Sequence, residues 1–297
     1  MRSVRTLIDF DDAPVFGFPV AGGVRVGVLV EGPQGWGEFS PPADCDAALA
    51  ARWLTAAMEP STVGWPDAVR GRVPVTAARI SIGAGPRASD EGAARLAAMR
   101  DSLEGGASVR CVVEVGDPVD TAALITRLNG VAGGLELVEL TCGSLDDAIA
   151  VRRRVDVPLA VDAALLTEAG RHAGAADIAV LRCGPLGGVR RAMRRAEALG
   201  LPCVVNLTGQ TSIGQAGDVA LAAVLPDLQF ACGPADRRLA DGDIVAEARS
   251  LIPAEGYLPA APMPAGPDPA QLARFTITDH DTVDRWRGLL RRTAELL

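Results

Sequence analysis

The sequence predicts an α/β protein built around a parallel barrel. From Arg79 to Cys232, short apolar runs alternate with stretches of helical spacing, and this alternation is typical of a parallel sheet. The number of repeated units favours a barrel over a small open sheet. Between Glu136 and Leu186 the apolar runs also end in or next to polar residues, which are Glu139, Asp162 and Arg182. Strand ends hold the chemistry in such barrels.

Composition excludes several classes of function. The chain has 297 residues and a net charge of −8 with both signs interspersed, which disfavours nucleic-acid binding. No apolar run approaches a membrane span and no signal peptide is recognised, so we expect a cytoplasmic protein. All 29 basic residues are arginine, which excludes any mechanism that needs a lysine. Two histidines exclude a histidine-rich metal site, and six cysteines without a C-x-x-C pair predict reduced, buried thiols.

The first part of the chain predicts a small α+β unit. Its predicted strands are residues 24–31, 36–41 and 73–78. The Gly/Pro turn G-P-Q-G joins the first two strands as a hairpin. The Ala-rich stretch Asp44–Met58 has helical spacing, and Asp44 or Asp46 is its candidate N-cap.

From Arg79 onwards, strands and helices alternate. The predicted strands are residues 80–82, 109–115, 136–140, 158–162, 177–183, 203–206 and 228–232. The predicted helices are residues 91–102, 118–128, 146–154 and 188–199, a weak helix after 162, and a helix that runs from T-G-Q-T-S-I-G to 225. Gly200 is a candidate C-cap. The Pro/Gly-rich residues 253–269 predict an extended segment, and residues 281–297 a closing helix.

Five motifs in register resemble the actinobacterial o-succinylbenzoate synthases, which belong to the muconate-lactonizing subgroup of the enolase superfamily. The motifs are G-W-G-E-F-S-P, R-R-R-V-D-V-P-L-A-V-D, A-A-D-I-A-V-L-R, P-L-G-G-V and L-A-A-V-L-P-D-L-Q-F-A-C-G. The resemblance covers about Val24 to Tyr257. It implies an α+β capping domain over a modified (β/α)₇β barrel. We therefore expect a capping domain at residues 1–78 with the tail 258–297, and a barrel at residues 79–257.

The resemblance also implies a chemistry. These enzymes dehydrate a cyclohexadiene carboxylate to o-succinylbenzoate, a menaquinone precursor, using Mg²⁺ held by three carboxylates and one lysine on each face of the substrate. A proton next to a carboxylate is very weakly acidic, so a cation must stabilise the enediolate and a base of suitable pKa must take the proton. Lysine suits this task because burial beside cations depresses its pKa.

Carried over by position, the resemblance implies an incomplete site. The second metal ligand matches Glu139 and the third matches Asp162. Nothing matches the first ligand, because about one β/α unit between Val115 and Glu136 is absent. The second catalytic lysine matches Arg182, and an acidic residue of a later segment matches Gln210.

The strand that carries K-x-K in the family has two registers here, and neither contains a lysine. It matches Val109 and Cys111 without a gap, or Arg110 and Val112 if shifted. In the first register Cys111 is the group that can accept a proton or act as a nucleophile; the alternative is an inert buried thiol. In the second register Arg110 is a candidate substrate contact. Glu114 lies either at the barrel mouth or in a loop.

Each of the other candidate site residues also has two possible roles. Glu139 and Asp162 either keep weak Mg²⁺ binding or pair with arginine. Arg182 cannot act as a base; it either binds a substrate carboxylate or neutralises the two acids. Asn206 and Gln210 either contact a ligand or cap the following helix. Trp36 and Phe39 of the capping hairpin are interpreted as packing residues.

These observations lead to two main hypotheses. In the first, the chain is a repurposed lyase, isomerase or cyclase on an organic acid or secondary metabolite, with Arg182, Cys111 and Gln210 as catalytic candidates and no metal cofactor. In the second, it is a catalytically silent paralogue that binds a small ligand or a partner protein. Residual o-succinylbenzoate synthase activity is a third hypothesis. We expect a small-molecule partner, no nucleic acid and no membrane; homo-oligomer formation is left open.

Overall fold

The computed structural model describes residues 8, 10–20, 23–76, 78–103, 108–166, 174–207, 210–233 and 242–297. The chain divides into two compact units. The first unit comprises Met1–Val75, Arg182–Arg194 and Val205–Leu297, and the second unit comprises Thr76–Leu181 and Arg195–Val204. The domain boundaries after residues 78 and 257 stay a prediction.

The first unit begins with an antiparallel sheet and a long helix. The elements are β1 (Val15–Val20), β2 (Gly23–Gly32), β3 (Gly35–Phe39) and α1 (Ala47–Thr62). The predicted hairpin is β2–β3, and β1 is an additional edge strand that pairs with β2. Of the two predicted caps, Asp46 starts α1, since its side chain accepts a hydrogen bond from the N–H of Leu49 at 2.7 Å. Phe39, Leu54 and Leu290 are completely buried and belong to one hydrophobic core.

The remaining elements of the first unit come from distant parts of the sequence. They are β4 (Arg72–Pro74), α5 (Cys183–Leu186), α7 (Ser212–Val224), β11 (Tyr257–Pro259), α8 (Pro269–Phe275) and α9 (His280–Ala294). The strand predicted at 228–232 is reduced to one bridge between Cys232 and Val75. Cys232 is the only buried residue of that stretch, so the stretch lacks the buried face that would hold a longer ladder.

A six-stranded sheet in chain order forms the framework of the barrel region. Its strands are β5 (Arg79–Ile82), β6 (Arg110–Glu114), β7 (Leu137–Thr141), β8 (Leu159–Asp162), β9 (Ile178–Leu181) and β10 (Cys203–Val205). The strands from β5 to β9 pair in parallel. The intervening helices are α2 (Pro86–Ser102), α3 (Pro118–Ala132), α4 (Leu145–Arg152) and α6 (Val189–Leu199). The weak helix expected after Asp162 falls largely on 167–173, outside the described residues.

The connection between β6 and β7 bears on the predicted shortening of the barrel. Helix α3 is the only helix between these strands, and the strands pair directly over five residues from Arg110↔Leu137 to Glu114↔Thr141. No strand intervenes between β6 and β7, and the shortening of the barrel relative to the family stays a prediction. Helix α3 starts after Asp117, whose carboxylate accepts from two backbone N–H groups, and ends at Gly133 with φ 68, a left-handed conformation that favours glycine.

The helices carry no sign of a membrane span. Within the described ranges, none combines the length and the apolar composition that crossing a bilayer requires.

Candidate functional site

The sheet of the second unit has one apolar face and one polar face. Side chains alternate between the faces along each strand. The face that includes Ile80, Cys111, Val138 and Val161 is buried and apolar. The opposite face is here called the polar face. On strands β5 to β8 its members, in chain order, are Arg79, Ser81, Arg110, Val112, Glu114, Leu137, Glu139, Thr141, Ala160 and Asp162.

The polar face is closed where the strands begin and opens where they end. Along β6, Arg110 is buried, Val112 is half-buried and Glu114 is exposed. Along β7, the burial falls in the same order from Leu137 through Glu139 to Thr141. A ligand therefore has access at the carboxyl ends of the strands, where parallel α/β barrels bind their substrates.

The strand pairing shows which residues of β6 lie on the polar face. Val112 pairs with Glu139 and Arg110 pairs with Leu137, so Arg110 and Val112 lie on the polar face. Cys111 pairs with Val138 on the apolar face, is fully buried, and has its pKa raised to about 12 by that burial. The catalytic role considered for Cys111 is thus corrected: its side chain points away from Glu139 and its surroundings favour the inert thiol.

Glu139 has a cationic partner that the sequence did not suggest. The Nη2 of Arg79 donates to Oε2 of Glu139 at 2.8 Å, with the two side chains 19% and 14% exposed. The expected pairing of this acid with arginine is therefore present, although the arginine comes from β5. The signal was available in principle, because Arg79 is the first residue of an apolar strand and lies two strands away from Glu139.

Arg110 and Asp162 are held by local contacts. The Nε of Arg110 donates to the carboxylate of Glu136, and Arg110 is only 3% exposed. Arg110 is therefore largely inaccessible to a substrate, which argues against its predicted substrate contact. Asp162 ends β8 next to Val180, and its Oδ1 accepts from the N–H of Ala164 at 2.8 Å.

Three candidates lie in the first unit. Arg182 follows β9 in extended conformation, is half-buried, and occupies the N-cap position of α5 without a side-chain cap bond. Asn206 is 7% exposed, and a Cβ on Gly233 would come within 2.4 Å of its Oδ1. Gly233 is the last residue of the motif L-A-A-V-L-P-D-L-Q-F-A-C-G, and its close approach to the Asn206 amide explains why a glycine stands there.

Gln210 belongs to a buried hydrogen-bond network with the capping hairpin. Its Nε2 donates to Oγ of Ser40 at 3.0 Å, and Ser40 donates to Oε1 of Glu38 at 2.7 Å. Thr211 donates to Oε2 of Glu38, and the N–H of Gly214 approaches the same oxygen at 3.2 Å. Burial raises the pKa of Glu38, and the hydrogen bonds from Thr211 and Ser40 oppose that rise. This network joins the G-W-G-E-F-S-P motif to the start of α7.

The comparisons with known proteins place the chain in a family. Residues 23–61 match the Enolase N-terminal domain-like family, and residues 67–264 match the Enolase C-terminal domain-like family. The chain therefore belongs to the enolase superfamily, with a barrel and an N-terminal capping domain.

Within the superfamily, the chain is similar to o-succinylbenzoate synthases. It is 40% identical to that of Thermobifida fusca over 261 residues, covering 80% of this chain and 81% of the relative. It is 35% identical to that of Mycolicibacterium smegmatis over 283 residues, covering 84% of each. The chain is thus an o-succinylbenzoate synthase-like member of the superfamily, as its motifs predicted.

Solved structures support the same fold. Muconate lactonizing enzyme from Pseudomonas putida has a TM-score of 0.67 at 19% identity, covering 91% of this chain and 100% of its own. The 2-chloromuconate cycloisomerase from Rhodococcus opacus has a TM-score of 0.67 at 18% identity, covering 89% and 98%. At these identities the likeness shows the fold alone.

The expectation that no metal cofactor is used is wrong. The o-succinylbenzoate synthases and muconate cycloisomerases to which the chain is similar are Mg²⁺-dependent. Arg79 engages Glu139, and the described ranges contain no group of three His, Cys, Asp or Glu that could hold a metal. The described donors therefore do not form the three-carboxylate cradle of the family.

Proposed function

We propose that this chain catalyses a lyase or isomerase reaction on a small organic acid, without the two-lysine proton transfer of its relatives. The observation that supports the proposal is that Arg110 and Val112 lie on the polar face; in the shifted register of the resemblance these two residues match the family's K-x-K pair. A guanidinium keeps its proton at physiological pH, so neither position supplies a base. The carboxylates on that face are those of Glu114, Glu139 and Asp162, and a carboxylate can act as a general base.

Membership of the superfamily and the polar face support the substrate class. The relatives are named for reactions that form o-succinylbenzoate or act on muconate, both carboxylates. A guanidinium on an accessible polar face is suited to bind and orient such a group. Pocket shape and orientation then contribute more to the rate than proton transfer does.

The family reaction is the first test. The purified protein is incubated with the cyclohexadiene carboxylate substrate and Mg²⁺, and the formation of o-succinylbenzoate is followed, with the Thermobifida fusca enzyme as positive control. We expect no formation above the uncatalysed rate. A Mg²⁺-dependent rate that a chelator abolishes would contradict the proposal and establish residual synthase activity.

A ligand-binding role is the second candidate, and the ion pairs of the polar face favour it. Glu139 is paired with Arg79 and Glu136 with Arg110, and carboxylates engaged by arginines favour a structural or ligand-binding role over proton transfer. Incubation with a panel of organic acids, followed by NMR of the mixtures, separates the two candidates. Turnover of any member supports the enzyme, whereas binding to the protein without turnover supports the silent paralogue.

A further inference from the structure

Arg79 holds Glu139 with only part of its hydrogen-bonding capacity. A guanidinium has five N–H donors, and the contact with Glu139 joins the single pair Nη2 and Oε2 at 2.8 Å. Nε and Nη1 of Arg79 make no hydrogen bond to any residue in the described ranges. The half-buried cation therefore retains donors for one more acceptor.

The position of Arg79 makes those donors accessible. Its guanidinium contacts Glu139. Glu139 pairs with Val112 on the neighbouring strand, and Val112 pairs with Ser81, so these three residues lie at one level of the sheet. Ser81 is exposed and Val112 is half-buried, so this level lies where the polar face begins to open. Arg110, the other arginine of the face, is 3% exposed and held by Glu136. Arg79 is therefore the reachable cation of the two.

We propose that Arg79 is the residue that binds the substrate carboxylate, with Glu139 fixing the guanidinium in place. Two of the remaining N–H groups form a planar fork that matches the two oxygens of a carboxylate. This assignment rests on the proposed function, because it names the residue that recognises the organic acid.

The charge of Glu139 sets the kind of ligand that this site takes. A second carboxylate at Arg79 is repelled by Glu139, so each added negative charge on the ligand group costs binding energy. A singly charged carboxylate is therefore favoured over a phosphate dianion. The same repulsion means that neutralising Glu139 should strengthen carboxylate binding, an effect that a purely structural ion pair would not produce.

The test measures binding of o-succinylbenzoate, succinate and benzoate by titration calorimetry in metal-free buffer. The dimethyl ester of o-succinylbenzoate is the neutral control ligand. We expect the wild type to bind at least one of the acids, Arg79→Gln to weaken that binding at least about tenfold, and Glu139→Gln to tighten it. Arg87→Gln is the matched control variant, since its ion pair with Glu91 is on the surface, and it should leave the affinity unchanged.

Folding of the variants is checked by circular dichroism. Because Arg79→Gln removes the partner of Glu139 on β5, the double variant Arg79→Gln/Glu139→Gln removes both charges and should also lose the binding. Equal affinities in the wild type and in either variant that lacks Arg79 would overturn the role of Arg79 and leave the proposed function standing. Failure of the wild type to bind any of the three acids would overturn both.

Discussion

At the scale of single residues, Glu38 is a buried carboxyl group of the first unit. It is 5% exposed and receives hydrogen bonds from Ser40, Thr211 and Gly214. Desolvation nevertheless outweighs those bonds and raises its pKa above the ordinary 4.5. Ionising a buried carboxyl group costs free energy in the folded protein that it does not cost in the unfolded chain. The stability of the folded protein therefore depends on pH through this residue.

This residue predicts a pH dependence of stability with a definite sign. Above about pH 4.5 the unfolded chain loses the proton of Glu38 before the folded chain does, so the folded state is relatively disfavoured as pH rises. Glu38→Gln cannot ionise, and we expect its free energy of unfolding to fall less between about pH 5 and about pH 8 than that of the wild type. Urea denaturation at the two pH values measures this difference. Parallel pH profiles would show that Glu38 is ionised in the folded protein throughout.

At the scale of elements, helix α6 depends on a cap supplied by α1. Glu59 is 8% exposed; its Oε2 accepts from the N–H of Val189 at 2.5 Å and its Oε1 from that of Arg190 at 3.2 Å. A Cβ on Gly188 would lie 2.3 Å from Oε2 of Glu59, and Gly188 has φ 104. The P-L-G-G-V motif is thus explained by a carboxylate that needs space at the start of a helix.

Removing this cap should be costly. Glu59→Ala leaves buried N–H groups of α6 without an acceptor, for which we expect a loss of about 2–4 kcal/mol in the free energy of unfolding. Glu59→Gln keeps an acceptor oxygen and should lose less. Asp46→Ala, which removes the exposed cap of α1, is the matched comparison, and a Glu59→Ala loss no larger than that one would contradict the argument.

The ion pair between Arg79 of β5 and Glu139 of β7 makes a prediction about Mg²⁺. Glu139 is one of the two acids that match the metal ligands of the family, and the guanidinium of Arg79 competes with a cation for it. Arg79→Ala should therefore bind Mg²⁺ more tightly than the wild type, by at least about tenfold. Titration calorimetry measures both affinities, with Arg87→Ala as control. Equal affinities would exclude competition between Arg79 and Mg²⁺ for Glu139.

At the scale of the whole molecule, the sequence pattern predicted where the strands lie but not which residues meet across them. The alternation of apolar runs and helices predicted the position of every strand from β5 to β10, because each buried strand of a parallel sheet is itself an apolar run. The reduction of the strand predicted at 228–232 to a single bridge and the orientation of Cys111 were not predictable, since both depend on which neighbour each segment pairs with. The partner of Glu139 was missed for the same reason: Arg79 is 60 residues away in sequence and meets it only through the register of three strands.

The absence of lysine has a consequence for the whole chain in alkaline solution. Lysines, with pKa near 10.4, usually dominate titration there, whereas arginines stay charged. Burial raises the pKa of Cys111 to about 12, that of Cys203 to about 11, and that of Cys183 well above 9.0. Above about pH 9 the unfolded chain therefore releases thiol protons that the folded chain keeps.

The free energy of unfolding should accordingly fall as pH rises from about 9 to about 11, by up to about 1.4 kcal/mol per pH unit for each such thiol. Replacing Cys111, Cys183 and Cys203 by alanine should flatten the profile at the cost of lower stability near neutral pH, because three buried side chains are shortened. Urea denaturation of both proteins under reducing conditions gives the two slopes. Equal slopes of the free energy of unfolding against pH would mean that groups other than these three thiols control the alkaline transition.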